Sequence, residues 1–216
     1  EEAPDGQFTI RLYPGGEVVP GFGVLDAVGN RTVDCGQTAS YYYYGKDPTL
    51  CFDTTVPFGL NARQMNAWMD QGDGLKLMRE VFAPRHIVNF PMGNTGTQMG
   101  GWYRKEIKSV ADLKGLKMRT AGFAGDVLSR LGVIPQQISP GDIYPSLEKG
   151  ALDAVEFVGP LDDEKLSLQR VAKYYYYPGW WEGSAQVSLY VNEKAYAELP
   201  KQYQSLIALA SRYAGQ

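Results

Sequence analysis

Histidine is almost absent from this sequence, with His86 alone, and cysteine is limited to Cys35 and Cys51. Clustered His/Cys zinc ligation is thereby excluded, and catalysis built on histidine as general base is disfavoured. His86 stands beside Ile87 and Val88 at an expected strand start, where a structural role outweighs a catalytic one. Spacing cannot fix the separation of the two cysteines, so a disulfide and two buried thiols both stay open. Long apolar runs are missing too: no stretch approaches the roughly 20 residues that span a bilayer. Positive charge is not in excess either. Twenty-one Lys and Arg against 24 Asp and Glu leave a net of −3, and no basic run exceeds two residues, so no nucleic-acid partner is expected. Glu1-Glu2-Ala3-Pro4-Asp5-Gly6 reads as loop and not as a targeting segment. There is no Gly-x-Ser-x-Gly elbow, no phosphate-binding Gly-x-x-x-x-Gly-Lys-Ser/Thr loop and no dinucleotide Gly-x-Gly-x-x-Gly turn. The chain is expected not to be an enzyme.

Aromatic residues, by contrast, are plentiful. Fifteen Tyr and four Trp supply rigid side chains with polar tips, suited to lining a ligand cleft, although most of them fill a core. Two runs, Tyr41 to Tyr44 and Tyr174 to Tyr177, would each give two rings to either face if extended. With 216 residues, 44% hydrophobic, the chain can form one large domain or two small lobes.

Phe8 to Tyr13 alternates apolar and polar residues before Pro14-Gly15-Gly16, which predicts a strand and a turn. Pro20 to Val28 reads as a helix stopped at Gly29-Asn30. Apolar runs follow at Thr32 to Ala39 and Leu50 to Val56. Asn61 is placed to cap a helix carrying Met65, Trp68 and Met69, and a second amphipathic helix runs from Leu75 to Phe82. Strands are predicted at Ile87 to Pro91, Leu116 to Arg119, Ala151 to Val158 and Gln186 to Asn192, with helices at Ala121 to Leu131, Asp142 to Lys149 and after Pro200. Such alternation indicates an α/β fold with largely parallel sheets.

Arg119 closes its strand just before a Gly-rich helix start, where ligands of open α/β sheets sit. Its planar fork can hold a carboxylate bidentately, which lysine cannot do. The competing reading is a surface salt bridge. Glu156 ends an apolar strand, and Glu182 follows Trp180-Trp181, so a buried charge at either place needs a partner or a metal. With the amide oxygen of Gln98 they would make an all-oxygen site for a hard cation, Ca²⁺ or a monovalent ion. Two solvated glutamates at loop edges fit the sequence equally well.

The segments Asn94-Thr95-Gly96-Thr97-Gln98-Met99-Gly100-Gly101-Trp102, Asp112-Leu113-Lys114-Gly115-Leu116-Lys117-Met118-Arg119 and Tyr144-Pro145-Ser146-Leu147-Glu148-Lys149-Gly150-Ala151-Leu152-Asp153-Ala154-Val155-Glu156 resemble the DctP-type solute receptors of TRAP transporters. Tyr41-Tyr42, Val56-Pro57-Phe58-Gly59-Leu60-Asn61 and Tyr174 to Gly183 are similar to the branch that binds 2-oxo acids or lactate with a metal ion. The resemblance covers essentially the whole chain. It implies a two-lobed periplasmic binding protein fold, type II-like, with hinge-crossing segments. Residues 1–90 would be mainly the first lobe and 91–185 mainly the second, with 186–216 a crossover strand and helix returning to the first. Against the family the chain starts after the usual first strand and helix and stops soon after the helix near Gln202, so a form truncated at both ends is expected.

Carried over residue by residue, Arg119 matches the arginine that holds the substrate carboxylate. Gln98, Glu156 and Glu182 match the metal ligands of the keto-acid branch, with the backbone carbonyl of Phe157, where that branch often has Trp, as a further one. Gln98 also touches the substrate, and Asn94, Tyr42, Tyr44 and Trp180 match the cleft wall. The resemblance implies a periplasmic or extracytoplasmic substrate-binding subunit. It would capture a small 2-oxo or 2-hydroxy monocarboxylate, such as pyruvate or lactate, through Arg119 and a bridging Na⁺ or Ca²⁺. Its partners would be the small organic acid and the small and large TRAP membrane subunits; the sequence leaves a homodimer open. Two other readings are an extracellular sensor domain of the same fold and an enzyme using Glu156 and Glu182 as an acid/base pair on a sugar.

Overall fold

The computed structural model describes residues 6–215, so the expected opening loop lies outside them up to Asp5. The chain divides into two compact units. One takes the chain up to Thr38, then Arg79–Gly93 and everything from Ser188; the other takes Ala39–Met78 and Asn94–Val187. Neither unit is a single continuous stretch.

Eight strands occur among the described residues: β1 Cys35–Ala39, β2 Ile87–Asn94, β3 Gly101–Tyr103, β4 Lys117–Arg119, β5 Ile134–Gln136, β6 Ala154–Val155, β7 Tyr174–Tyr176 and β8 Gln186–Asn192. They form a three-stranded sheet in the order β1-β8-β2 and a five-stranded sheet in the order β5-β4-β6-β3-β7. In the first unit Phe90, Val191 and Ile207, the last from the helix Lys201–Ala214, make a small buried core.

The five-stranded sheet is mixed, which corrects the expectation of largely parallel pairing. β4 pairs parallel with β5 and β6, whereas β3 pairs antiparallel with both β6 and β7. Both faces of this sheet are covered. The side-chain period of two sends Met118 and Ala154 into one core with Ala124 and Leu128 of the helix Gly122–Arg130. Val155 goes into the other, with Ile143 and Leu147 of the helix Ile143–Glu148.

Several local expectations change. Phe8 to Tyr13 forms only an isolated bridge at Thr9: Phe8 packs on the first unit's core and stacks on Tyr203, but Leu12 and Tyr13 are exposed. Leu50 to Val56 is not a strand: a 3₁₀ turn at Pro48–Cys51, capped by Asp47 accepting from the Thr49 amide, precedes irregular chain. Tyr41 to Tyr43 belong to a 3₁₀ turn, Ser40–Tyr43, whereas Tyr174–Tyr176 is β7. Asn61 does cap the helix Ala62–Gln71, in a reciprocal capping box with Gln64. Cys35 and Cys51 are both free thiols. His86 is exposed with φ 58°, closing a 3₁₀ turn, and its Nδ1 lies 3.4 Å from Glu193.

Candidate functional site

The topology of the second unit brings four polar residues to one edge of its sheet. Arg119 is the last residue of β4, and Glu156 follows the last residue of β6, so both stand at the carboxyl ends of parallel strands. β7 is antiparallel to β3, as β6 is, so β7 ends at the same edge and Glu182 follows it a few residues on. β3 runs the opposite way. Gln98, just before its start, therefore arrives at that edge as well.

All four are buried. Arg119, Glu156 and Gln98 are each 2% exposed and Glu182 is 0% exposed, which removes the surface readings of Arg119 and of the two glutamates. The Arg119 Nη1 donates to the Glu156 carboxylate and, at 2.7 Å, to the Glu156 backbone carbonyl. Its Nε donates to the carbonyl of Ile138 at 3.3 Å, and Nη2 lies 3.5 Å from the hydroxyl of buried Tyr41. The Phe157 ring covers the guanidinium at 5.7 Å. Arg119 is thus held on three sides, with Nη2 its least committed nitrogen.

Glu182 has no such donor. Both of its carboxylate oxygens are buried without a hydrogen-bond partner, and so is Oε1 of Gln98. The Gln98 amide is oriented by donation from Nε2 to the Thr95 hydroxyl at 3.1 Å, and its backbone N donates to the Glu182 carbonyl at the same distance. Burial, and then the neighbouring charge of Glu156, hold Glu182 well above the ordinary carboxylate range. Burial also raises Glu156, with Arg119 offsetting part of the shift. With one guanidinium against two buried carboxyls, Glu182 can ionise only at the cost of an uncompensated negative charge among oxygen atoms that lack donors. That is the environment a hard cation satisfies. Among the described residues no group of three or more His, Cys, Asp or Glu is placed to hold a metal ion, so softer transition-metal ligation has no candidate there.

The remaining expected residues lie in the same unit. Asn94 accepts from the Gly96 amide at 2.9 Å, and its Nδ2 is buried without a partner. Tyr42 packs on Tyr41 with ring centroids 4.7 Å apart, and its carbonyl accepts from Gln137 at 2.6 Å. The Tyr44 hydroxyl is bonded to Asp126, which pushes it up to about 12. Trp180 stacks on Phe58 at 5.4 Å and meets Trp181 edge-on at 4.9 Å. Phe157 is half-buried between the peptide groups of Glu156 and Val158.

Reading the sequence missed Tyr41, Trp181 and Asp163. Trp181 is 3% exposed, and its side chain is one of the hydrogen-bonding groups that act on Glu156. Asp163, in the first turn of the helix Pro160–Lys165, is fully buried. Its side-chain partners Trp102 and Tyr175 stand 61 and 12 residues away, so no local sequence signal marks it.

Residues 1–216 match the family described as bacterial extracellular solute-binding protein, family 7, or DctP. The chain belongs to this family. A monocarboxylate 2-oxoacid-binding periplasmic protein of Nostoc is 54% identical over 210 residues, 97% of this chain and 58% of the relative. A TRAP transporter solute-binding protein of Bordetella bronchiseptica, crystallised with copurified calcium and picolinate, superposes with a TM-score of 0.95 at 56% identity, over 98% of this chain and 63% of that one. A TRAP periplasmic solute-binding protein of Pseudoalteromonas atlantica with bound sodium and pyruvate gives 0.86 at 45% identity, over 90% and 59%. The chain therefore spans about three-fifths of the length of these relatives, and its α/β fold is that of TRAP periplasmic binding proteins. The family is one of substrate-binding transport components and not of enzymes.

Proposed function

We propose that this chain is the ligand-holding part of an extracytoplasmic TRAP receptor for small 2-oxo or 2-hydroxy monocarboxylates, with Na⁺ or Ca²⁺ bridging protein and substrate. The observation that carries the reading is the pairing of a buried Arg119 with donor-starved oxygens on Glu182 and Gln98 at one sheet edge. Glu156, Glu182, the amide oxygen of Gln98 and the carbonyl of Phe157 would hold the ion. The ion would supply positive charge to the substrate carboxylate and to the adjacent 2-oxygen. Arg119 would take the carboxylate through its Nη2 side, since Nη1 is bonded to Glu156. Asn94, Tyr42, Tyr44 and Trp180 would form the wall. The relatives that hold pyruvate with sodium and picolinate with calcium support the same class, because both acids carry a second donor beside the carboxylate.

In this reading the protein works in the periplasm and delivers its acid to the small and large TRAP membrane subunits. Calorimetry with pyruvate, lactate and propionate, with the ion present and removed, tests it. Pyruvate and lactate should bind well only with the ion, and propionate weakly in both conditions, because it lacks the 2-oxygen. Equal affinity for all three after ion removal would sink the bridge. Recovery of each ligand unchanged after long incubation separates a receptor from a carboxylate-dependent enzyme.

A further inference from the structure

Asp163 is a fully buried carboxylate in the helix Pro160–Lys165, outside the four residues that converge at the sheet edge. Its Oδ2 accepts from Trp102 Nε1 at 3.1 Å and from the Tyr175 hydroxyl at 2.7 Å. Those two rings are cross-strand partners on β3 and β7 and stack at 4.0 Å with planes 12° apart. The carboxylate is thus clamped by the sheet itself. Its other oxygen, Oδ1, accepts from the backbone N–H of Val158 at 3.2 Å.

That last bond matters because a peptide group is planar. The Val158 N–H and the Phe157 C=O belong to one trans unit, so holding the N–H fixes the direction of the carbonyl. An ionised acceptor on the N–H also polarises the unit and makes its carbonyl oxygen a better donor to a cation. The same loop is tied down on both sides. The Glu156 N–H donates to the Arg119 carbonyl at 3.2 Å, and the Val158 carbonyl accepts from the Met99 amide at 2.9 Å, one residue from Gln98.

We propose that Asp163 is a positioning residue for the cation site: it sets the Phe157–Val158 peptide plane so that the Phe157 carbonyl faces the ion with Glu156, Glu182 and Gln98. This rests on the ion-bridged reading above. Asp163 touches neither ion nor substrate, and it acts only through the peptide.

The test compares Asp163→Ala and Asp163→Leu with Tyr175→Phe and Trp102→Phe in the full chain. Affinity for Ca²⁺ alone and Na⁺ alone is measured by calorimetry, thermal midpoint in ion-free buffer, and amide hydrogen exchange at Val158. All four variants remove bonds of the same cluster, so a merely structural role would lower ion affinity in step with stability. Positioning predicts instead that ion affinity falls about 10- to 100-fold in the Asp163 variants. Val158 exchange should rise in them without ion, while the two aromatic variants stay within about threefold of wild type at comparable midpoints. Should Asp163→Ala not fold, Asp163→Leu, which keeps the side-chain volume but offers the Val158 N–H no acceptor, carries the comparison. Wild-type ion affinity in a folded Asp163 variant overturns the proposal alone. A wild-type protein that binds neither ion overturns the bridged reading and this proposal with it.

Discussion

Arg119 donates from a single nitrogen, Nη1, to both the side-chain carboxylate and the backbone carbonyl of Glu156, with both residues 2% exposed. The guanidinium is therefore part of the scaffold that shapes the loop after β6. Truncating either partner leaves a buried charge without its counter-ion, which costs about 3–5 kcal/mol where it has been measured.

Arg119→Lys should consequently fail twice. A single ammonium cannot reach the Ile138 carbonyl, the Glu156 groups and a ligand carboxylate together. Pyruvate binding should be lost by calorimetry, and the urea midpoint should fall. Normal binding by the lysine variant would refute the argument from the guanidinium fork.

Glu182→Gln should separate ion capture from stability. The substitution replaces a buried carboxyl that burial and the facing Glu156 hold well above the ordinary range. Ion affinity should drop at least about tenfold, since charge count tunes such sites. Unfolding in chelator near neutral pH should shift the other way, to higher urea. A variant less stable without ion would show that Glu182 has a favourable partner.

Asp53 gives a pH signature apart from ligand binding. It is fully buried with its Oδ1 bonded to the Ser40 hydroxyl and Oδ2 without a partner, and burial pushes its carboxyl up to about 7. The folded state thus holds the proton more tightly than the unfolded chain. Its contribution to stability is complete below about pH 4 and is lost as pH rises through about 7. Asp53→Asn should remove that slope and gain roughly 2–3 kcal/mol on wild type between pH 5 and pH 8. Urea unfolding at pH 5 and pH 8 checks the difference, and parallel slopes would exclude it.

Gly101→Ala should destabilise the sheet at its functional edge. Gly101 has φ +101°, and a Cβ there would meet the Val155 carbonyl oxygen at 2.3 Å and the Glu156 Cα at 3.1 Å. These are backbone atoms and cannot give way cheaply, so a loss on the order of 3 kcal/mol is expected. A urea midpoint close to wild type would contradict the close packing of β3 on β6.

Much of the site was legible because it is carried by chemical identity at strand ends. An arginine closing an apolar strand and a glutamate ending another are unusual in a chain this poor in long charged runs, and both proved buried. Periodicity located the helix Gly122–Arg130 and the strands β2, β4 and β8, whose apolar faces are local properties. It failed where partners decide. β3 and β5 are three residues each, too short for a periodic signal, and their extended form comes from neighbouring strands. The Leu50 to Val56 run is apolar for burial and turns because Pro48 and Asp47 start a 3₁₀ helix. Asp163 was invisible for the same reason, since its three donors come from β3, β7 and the loop beyond β6.

The sequence by itself determined the chemistry available to this protein: a lone guanidinium, two carboxylates and an amide at the ends of apolar segments, with no nucleophile or zinc ligand set among them. Tertiary structure alone decided that they meet. The antiparallel insertion of β3 reverses one strand and so turns Gln98 toward Arg119, Glu156 and Glu182. Burial then makes their unbalanced charge costly enough to call for a cation. Neither strand direction across a sheet nor desolvation is a local property of the chain, which is why no reading of spacing could supply them.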